Sequence, residues 1–148
     1  MDNKTILVLN GPNLNLLGRR DPAHYGYMTM DAILDGLRRR FAGCEIEYFQ
    51  SNCEGTLIDR IHSVGFDADL LGIVFNAGAY THTSLALADA IDAVAVPVVE
   101  VHLSNVFARE EIRRRSMIAP VCIGSISGFG AESYALAVQA LIDRDNEN

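Results

Sequence analysis

Three patterns follow one another in the stretch TILVLNGPNLNLLGRRDPAHYGYMTMDAILDGLRRRFA, residues 5–42 of the chain. Residues 5–10 are almost entirely apolar, which is typical of a buried β-strand. A long polar loop follows, and from Met30 onward the apolar residues recur at the spacing of an amphipathic α-helix. A strand that leads through a loop into a helix begins a βαβ unit, in which the strands are parallel.

The same alternation continues to the end of the chain. We predict strands at residues 5–10, 44–49, 70–76, 95–102 and 119–126. Helical periodicity covers residues 30–42, 54–65, 83–94 and 131–144, with Thr29 and Ser84 as N-terminal caps and Gly43 and Gly65 as helix ends. The pattern predicts an α/β fold: a flavodoxin-like, doubly wound sheet of five parallel strands, order 2-1-3-4-5, in a single domain spanning residues 1–148.

Composition argues against several classes of partner. The net charge of −7 disfavours nucleic acid, because phosphate binding needs a concentrated basic surface. The arginine triplets at 38–40 and 113–115 are expected to be solvated helix ends or interfaces. No apolar run approaches the roughly 20 residues that span a bilayer, and the N-terminus does not resemble a signal peptide. We therefore expect a cytoplasmic protein that binds neither nucleic acid nor membrane.

Lysine, cysteine and metal chemistry are also disfavoured. Lys4 is the only lysine and precedes the first strand, at the wrong end of the sheet for a Schiff base at its carboxyl edge. The three cysteines form no C-x-x-C pair and are expected to be buried free thiols. His82 and His102 lack the spacing of metal ligands. We expect no metal and no cofactor.

Polar residues follow the first, third and fourth predicted strands. In doubly wound sheets the ligand binds beyond the carboxyl ends of the strands, where the strand order reverses. The residues predicted to meet there are Asn10, Asn13, Asn76, Gly78, His82, Glu100, His102 and Ser104.

Two pairs at this edge suit proton transfer. Glu100 and His102 point to the same side of their strand, so the carboxylate can orient the imidazole and favour its protonated form. The alternative is a buried Glu–His pair without a function. In the loop, a guanidinium of Arg19 or Arg20 beside Tyr25 would favour the phenolate, although most loop tyrosines only pack.

Arg109 and Arg113 are four residues apart and are predicted to share one helix face. They either pair with neighbouring glutamates or present donors to an oxygen-rich ligand. A tyrosine base, a histidine acid and asparagines that orient water suit proton abstraction beside a carbonyl, followed by loss of water. The residues alone therefore indicate a cofactor-free lyase or isomerase that acts on a small polar acid.

Segments along almost the whole chain closely resemble the type II 3-dehydroquinate dehydratases. They are LNGPNLNLLGRRDPAHYG, QSNCEG, LIDRIH, NAGAYTHTS, VEVHLSNVFAREEIRRRS and GSISGFGAESYALA, in that order. The resemblance implies reversible dehydration of 3-dehydroquinate to 3-dehydroshikimate through an enolate, without metal or Schiff base. It leaves open a role in aromatic amino acid biosynthesis or in quinate catabolism.

The resemblance also assigns roles to residues. It implies that Tyr25 is the proton acceptor with Arg20 as its support, and that His102 is the proton donor, oriented by Glu100. Asn13 would hold a water that stabilises the enolate. The implied substrate contacts are Asn76, His82, Leu103, Ser104 and Arg113, with Arg109 and Gly78 as structural support. Asp89 resembles a residue that reaches a neighbouring subunit's site in a dodecamer built from trimers.

Two other interpretations are a flavodoxin-like module that binds a small anion without turning it over, and a non-catalytic oligomeric scaffold. Both leave the Arg20–Tyr25 and Glu100–His102 pairs without a purpose. An assay for the conjugated enone product distinguishes all three interpretations.

Overall fold

A computed structural model describes residues 4–147 of the chain. Five parallel strands form one sheet in the order β2-β1-β3-β4-β5, which confirms the predicted topology. The strands and α-helices are β1 (Thr5–Asn10), α1 (Pro22–Tyr25), α2 (Met30–Arg40), β2 (Glu45–Gln50), α3 (Glu54–Val64), β3 (Leu70–Asn76), α4 (Leu85–Ala93), β4 (Val98–His102), β5 (Gly124–Ser127) and α5 (Glu132–Asn146). Within residues 4–147, no helix has the length and apolar character needed to cross a bilayer.

The sheet separates two hydrophobic cores, because successive side chains of a strand point to opposite faces. In β1, Ile6 and Val8 belong to the core closed by α2 and α5. Leu7 and Leu9 belong to the core closed by α3 and α4. Burial on both faces explains why the central strands are continuous apolar runs instead of alternating apolar and polar residues.

The bounds of the first and third strands and the caps at Thr29 and Ser84 agree with the sequence prediction, whereas the short helix α1 was not predicted. β1 and β3 have the predicted bounds. Thr29 caps α2 by accepting a hydrogen bond from the backbone N–H three residues later, at 3.2 Å, and Ser84 caps α4 in the same way at 2.9 Å. Gly65 is the C-cap of α3, as predicted, but α2 ends at Arg40, before Gly43.

The predicted fifth strand is wrong in its first half. Ala119–Val121 forms a 3₁₀ turn, and pairing with β4 begins only at Gly124. Pro120 has no N–H to contribute to a strand ladder and fits the first turn of a helix. Ser116 Oγ accepts the N–H of Ala119 at 3.0 Å, which supports the turn.

The fourth strand starts three residues later than predicted. Pro97 cannot donate to a ladder, so β4 begins at Val98. The preceding Ala95 and Val96 donate instead to the carbonyl of Gly65, at the end of α3. The prediction of buried cysteines is also wrong, because Cys53 is exposed and Cys44 and Cys122 are only partly buried.

Candidate active site

A cleft lies at the carboxyl ends of β1, β3 and β4, where the strand order reverses. It encloses about 460 Å³, including its open mouth. Eleven of the residues predicted from sequence line it: Asn13, Arg20, Tyr25, Asn76, Gly78, His82, His102, Leu103, Ser104, Arg109 and Arg113. Glu100 lies behind His102, whereas Asp89 is exposed on α4 and does not line the cleft.

The loop after β1 and the loop after β3 approach each other closely at the floor of the cleft. A Cβ on Gly11 would lie 2.5 Å from the carbonyl oxygen of Ala77, so only glycine fits. Asn13 has a φ of 69°, in the left-handed region that asparagine tolerates better than most residues. Its backbone N–H donates to Asn52 Oδ1 at 3.0 Å, which anchors the loop to the start of α3. These contacts hold Asn13 at the cleft.

Two guanidinium groups contact Tyr25. Arg109 Nη1 donates to the Tyr25 hydroxyl at 2.9 Å, whereas the Arg20 guanidinium carbon lies 4.1 Å from the centre of the ring. Both guanidinium groups therefore place a positive charge beside Tyr25. The resemblance implies Arg20 as the support of Tyr25 and Arg109 as a structural residue. In the structure the direct contact to the hydroxyl belongs to Arg109, and Arg20 covers the face of the ring.

Arg109 and Arg113 do not share a helix, contrary to the prediction. Two short 3₁₀ turns, Val106–Ala108 and Glu111–Arg114, are separated by extended backbone at Arg109. The bend directs Arg109 to Tyr25, with Ser104 Oγ 3.4 Å from the same nitrogen. Arg113 Nε donates to a carboxylate oxygen of Glu110 at 3.2 Å.

Glu100 and His102 form a buried pair, as predicted from their spacing. His102 Nε2 lies 2.6 Å from Glu100 Oε2, and the two side chains are 8% and 4% exposed. The second carboxylate oxygen accepts hydrogen bonds from Ser116 and Ser125, both at 3.0 Å. Burial by itself raises the pKa of Glu100, but the hydrogen bonds and the charge of His102 outweigh it and hold that pKa below its ordinary value.

The ionised carboxylate determines the tautomer of His102. A carboxylate only accepts hydrogen bonds, so the hydrogen must be on His102 Nε2. When the ring is neutral, Nδ1 is then an acceptor; when it is protonated, Nδ1 is a donor. The pair can therefore deliver a proton through Nδ1.

His82 lies beside His102, with ring centres 6.0 Å apart and planes inclined by 22°. Its Nδ1 is 2.8 Å from the carbonyl oxygen of Arg115, which can only accept, so the hydrogen is on Nδ1. Burial lowers the pKa of His82, and the nearby positive charges of His102 and Arg113 lower it further, against the opposing contribution of the Arg115 carbonyl. A neutral His82 presents Nε2 as an acceptor for a hydroxyl.

Three residues that support the site were not found from sequence. Ser116 and Ser125 complete the hydrogen bonds of Glu100, and Tyr134 hydrogen-bonds Asn76. Ser125 is paired with Glu100 in the strand register. The predicted fifth strand begins too early, so its register with β4 does not follow from the sequence prediction. Tyr134 reads as a core aromatic of α5, and nothing in its local sequence marks a polar contact.

The cleft is lined by imidazole, phenol, guanidinium and amide side chains. Among residues 4–147, no three histidine, cysteine or acidic side chains come together in a way that could hold a metal ion. The three cysteines are free, and burial raises the pKa of Cys122, near Glu100, to about 12. A thiol with so high a pKa is a poor nucleophile at neutral pH.

Comparisons with known proteins agree on one family. The sequence profile described as Dehydroquinase class II matches residues 4–142. A 3-dehydroquinate dehydratase from Chlorobaculum tepidum is 52% identical over 146 residues, covering 99% of each chain. One from Rhizobium etli is 56% identical over 140 residues, covering 93% of this chain and 95% of the relative.

Among solved structures, a type II dehydroquinase from Butyrivibrio crossotus superimposes with a TM-score of 0.90 at 41% identity, covering 95% of this chain and 99% of that one. Sequence and structure thus agree over nearly the full length. The chain belongs to the class II dehydroquinase family.

Proposed function

We propose that this protein is a hydro-lyase that reversibly dehydrates 3-dehydroquinate to 3-dehydroshikimate through an enolate. The observation that carries the proposal is the presence of two separate proton-transfer pairs, Arg109–Tyr25 and Glu100–His102, on one cleft. One pair suits a base and the other an acid, and elimination of water needs both. The names of the relatives supply the substrate.

Tyr25 is the base in this proposal. Its phenolate takes the proton from the carbon beside the carbonyl, and the electrons of the broken C–H bond move to the carbonyl oxygen to form the enolate. The hydrogen bond from Arg109 and the stacked Arg20 stabilise the phenolate before the transfer. A water held by Asn13 stabilises the negative oxygen of the enolate.

His102 is the acid of the second step. The enolate collapses back to the ketone, a carbon–carbon double bond forms, and the bond to the β-hydroxyl breaks. His102 gives a proton from Nδ1 to the departing oxygen, so that water leaves. Glu100 orients the ring and stabilises its charged form through the 2.6 Å contact.

The remaining cleft residues bind the substrate. The carboxylate of the substrate binds to Leu103, Ser104 and Asn76, and Arg113 adds a positive charge to this side of the cleft. His82 accepts from a ring hydroxyl through Nε2. The left-handed turn at Gly78, with a φ of 60°, brings the β3 loop close to the substrate.

Assembly and cellular role complete the proposal. Asp89 is exposed on α4 and absent from its own cleft, which suits a role in a neighbour's site within a trimer-based dodecamer. Light scattering should then find a large oligomer, and dissociated subunits should lose activity. The protein acts in the cytoplasm, in aromatic amino acid biosynthesis or in quinate catabolism.

The decisive experiment follows the conjugated enone product by absorbance after 3-dehydroquinate is added. Binding without enone formation would mean a binding module, and no binding at all would favour a scaffold. Tyr25→Phe should reduce turnover by at least about 10²-fold, the lower end of a positioned acid–base contribution. Tyr27→Phe is the matched control, because Tyr27 lies two residues after Tyr25 and is 82% exposed.

Exchange of the substrate's α-proton with deuterated solvent separates the two roles. His102→Ala blocks the second step, so exchange should persist while enone formation is lost. Tyr25→Phe should abolish both. Arg109→Ala should reduce exchange more than Arg20→Ala, because Arg109 makes the direct contact with the hydroxyl. Wild-type exchange in Tyr25→Phe would rule out Tyr25 as the base.

A further inference from the structure

A buried polar cluster lies directly beneath the cleft, between the sheet and α5. Asn10 and Asn76 are the last residues of β1 and β3 and are opposite each other in the strand register. Their side chains point to the same face as Ile6, Val8 and Val74, the face covered by α5. Tyr134 of α5 is fully buried over them.

Hydrogen bonds connect these three side chains in one chain. Asn76 Nδ2 donates to the Tyr134 hydroxyl at 3.1 Å, and that hydroxyl donates to Asn10 Oδ1 at 2.8 Å. Asn10 Nδ2 faces the Tyr48 hydroxyl at 3.4 Å. At the other end, Asn76 Oδ1 accepts the backbone N–H of Gly78 at 3.2 Å.

The backbone amide sets the direction of the whole chain. The N–H of Gly78 can only donate, so it requires the oxygen of Asn76 on its side and turns the NH₂ group toward Tyr134. The hydroxyl of Tyr134 accepts there and gives its own hydrogen to Asn10. If the Asn76 amide were flipped, its NH₂ group would face the backbone N–H of Gly78, and two donors would meet. The same contact accompanies the left-handed backbone conformation of Gly78.

We infer that Tyr134 and Asn10 are positioning residues that fix the side-chain amide of Asn76, so that its second N–H faces the cleft as a donor to an oxygen atom of the substrate. The NH₂ group carries two hydrogens, and Tyr134 takes one. Asn76 lines the cleft although only 3% of its surface is exposed. The second hydrogen of its NH₂ group is therefore available to a ligand in the cleft. The inference rests on the proposed function, because it concerns binding of that substrate.

The arrangement differs from simple core packing. An apolar side chain of similar size at each position would fill the same volume without three buried polar groups that must all be satisfied. The polar cluster therefore has a use that packing does not supply, and its one connection to the cleft is Asn76.

The test is Tyr134→Phe, which keeps the ring and removes the hydroxyl. The variant loses the hydrogen bond between Asn76 and the Tyr134 hydroxyl, which holds the Asn76 donor in position. We expect KM for 3-dehydroquinate to rise about three- to tenfold, with a smaller change in kcat. Tyr48→Phe is the matched control: it removes a hydroxyl at the far end of the chain, beyond Asn10, and should leave KM unchanged. If Tyr134→Phe does not fold, Asn10→Val removes the acceptor of the hydroxyl and should raise KM in the same direction.

A double-mutant cycle tests the route through Asn76. In an Asn76→Ala background, Tyr134→Phe should cause no further rise in KM, because the donor it positions is gone. The same rise in both backgrounds, or a wild-type KM in folded Tyr134→Phe, would overturn the inference while leaving the proposed function intact. A wild-type protein that does not turn over 3-dehydroquinate would overturn both.

Discussion

Replacing Glu100 with glutamine removes one negative charge from beside His102 and leaves the volume of the side chain almost unchanged. In the native structure three donors meet the carboxylate: His102 at 2.6 Å, and Ser116 and Ser125 at 3.0 Å. An amide satisfies all three in one arrangement, with its oxygen toward His102 and its NH₂ group toward the serine hydroxyls, which can rotate and accept. The variant is therefore expected to fold.

The size of the effect follows from the lost charge. A hydrogen bond to a charged group contributes about 1.5–3 kcal/mol, and a neutral one about 0.5–1.5 kcal/mol. The hydrogen bond that holds His102 in position is thus weakened by about 1–1.5 kcal/mol, which corresponds to roughly a tenfold decrease in kcat. His102→Ala removes the acid altogether and should cost more, about 10²–10⁴-fold.

The assay is kcat at neutral pH, from the absorbance of the enone product, with thermal unfolding to verify the fold. Glu132→Gln is the matched control, because it makes the same atomic change in a half-exposed ion pair with Arg40. Exposed ion pairs contribute little, so its kcat should remain at the wild-type value. If folded Glu100→Gln also retains wild-type kcat, the charge of Glu100 does not prepare His102 for proton transfer.

Three further predictions concern stability and mechanism. Because the folded pKa of Glu100 is lowered, its ionised form stabilises the fold above the ordinary carboxyl value of 4.5, and that contribution is lost as pH falls through the lowered pKa. Chemical denaturation should therefore show the stability difference between wild type and Glu100→Gln narrowing below pH 4.5; a constant difference would contradict the pKa shift. Gly11→Ala should lower the free energy of unfolding by about 1–3 kcal/mol, because the new Cβ would overlap the carbonyl of Ala77. Gly36→Ala, in open space within α2, should raise it by about 0.5–1 kcal/mol, and equal effects would refute the close approach of the two loops. Borohydride with substrate should not inactivate the enzyme, and Lys4→Ala should keep near-normal kcat; substrate-dependent reductive inactivation would indicate an imine.

The structure departs from the sequence prediction at the start of the fifth strand and along the path around Arg109. Residues 119–123 are apolar enough to read as strand, yet Pro120 and the ladder with β4 delay the strand to Gly124. The segment around Arg109 has a helical spacing of arginines, but extended backbone interrupts it. Pro120 is a local signal against the strand, whereas the path around Arg109 depends on neighbours in space, among them Tyr25.

The sequence by itself determined the alternation of strands and helices, the edge of the sheet that carries the site, and the pairing of Glu100 with His102. Each depends on a local period of the chain: two residues in a strand, about 3.6 in a helix. Only the tertiary structure decided that Arg109 meets the hydroxyl of Tyr25, 84 residues away, and that Tyr134 joins Asn10 across 124 residues. Such contacts depend on strand register, on the seating of α5 and on the bend of a loop, and no local pattern of side chains encodes those arrangements.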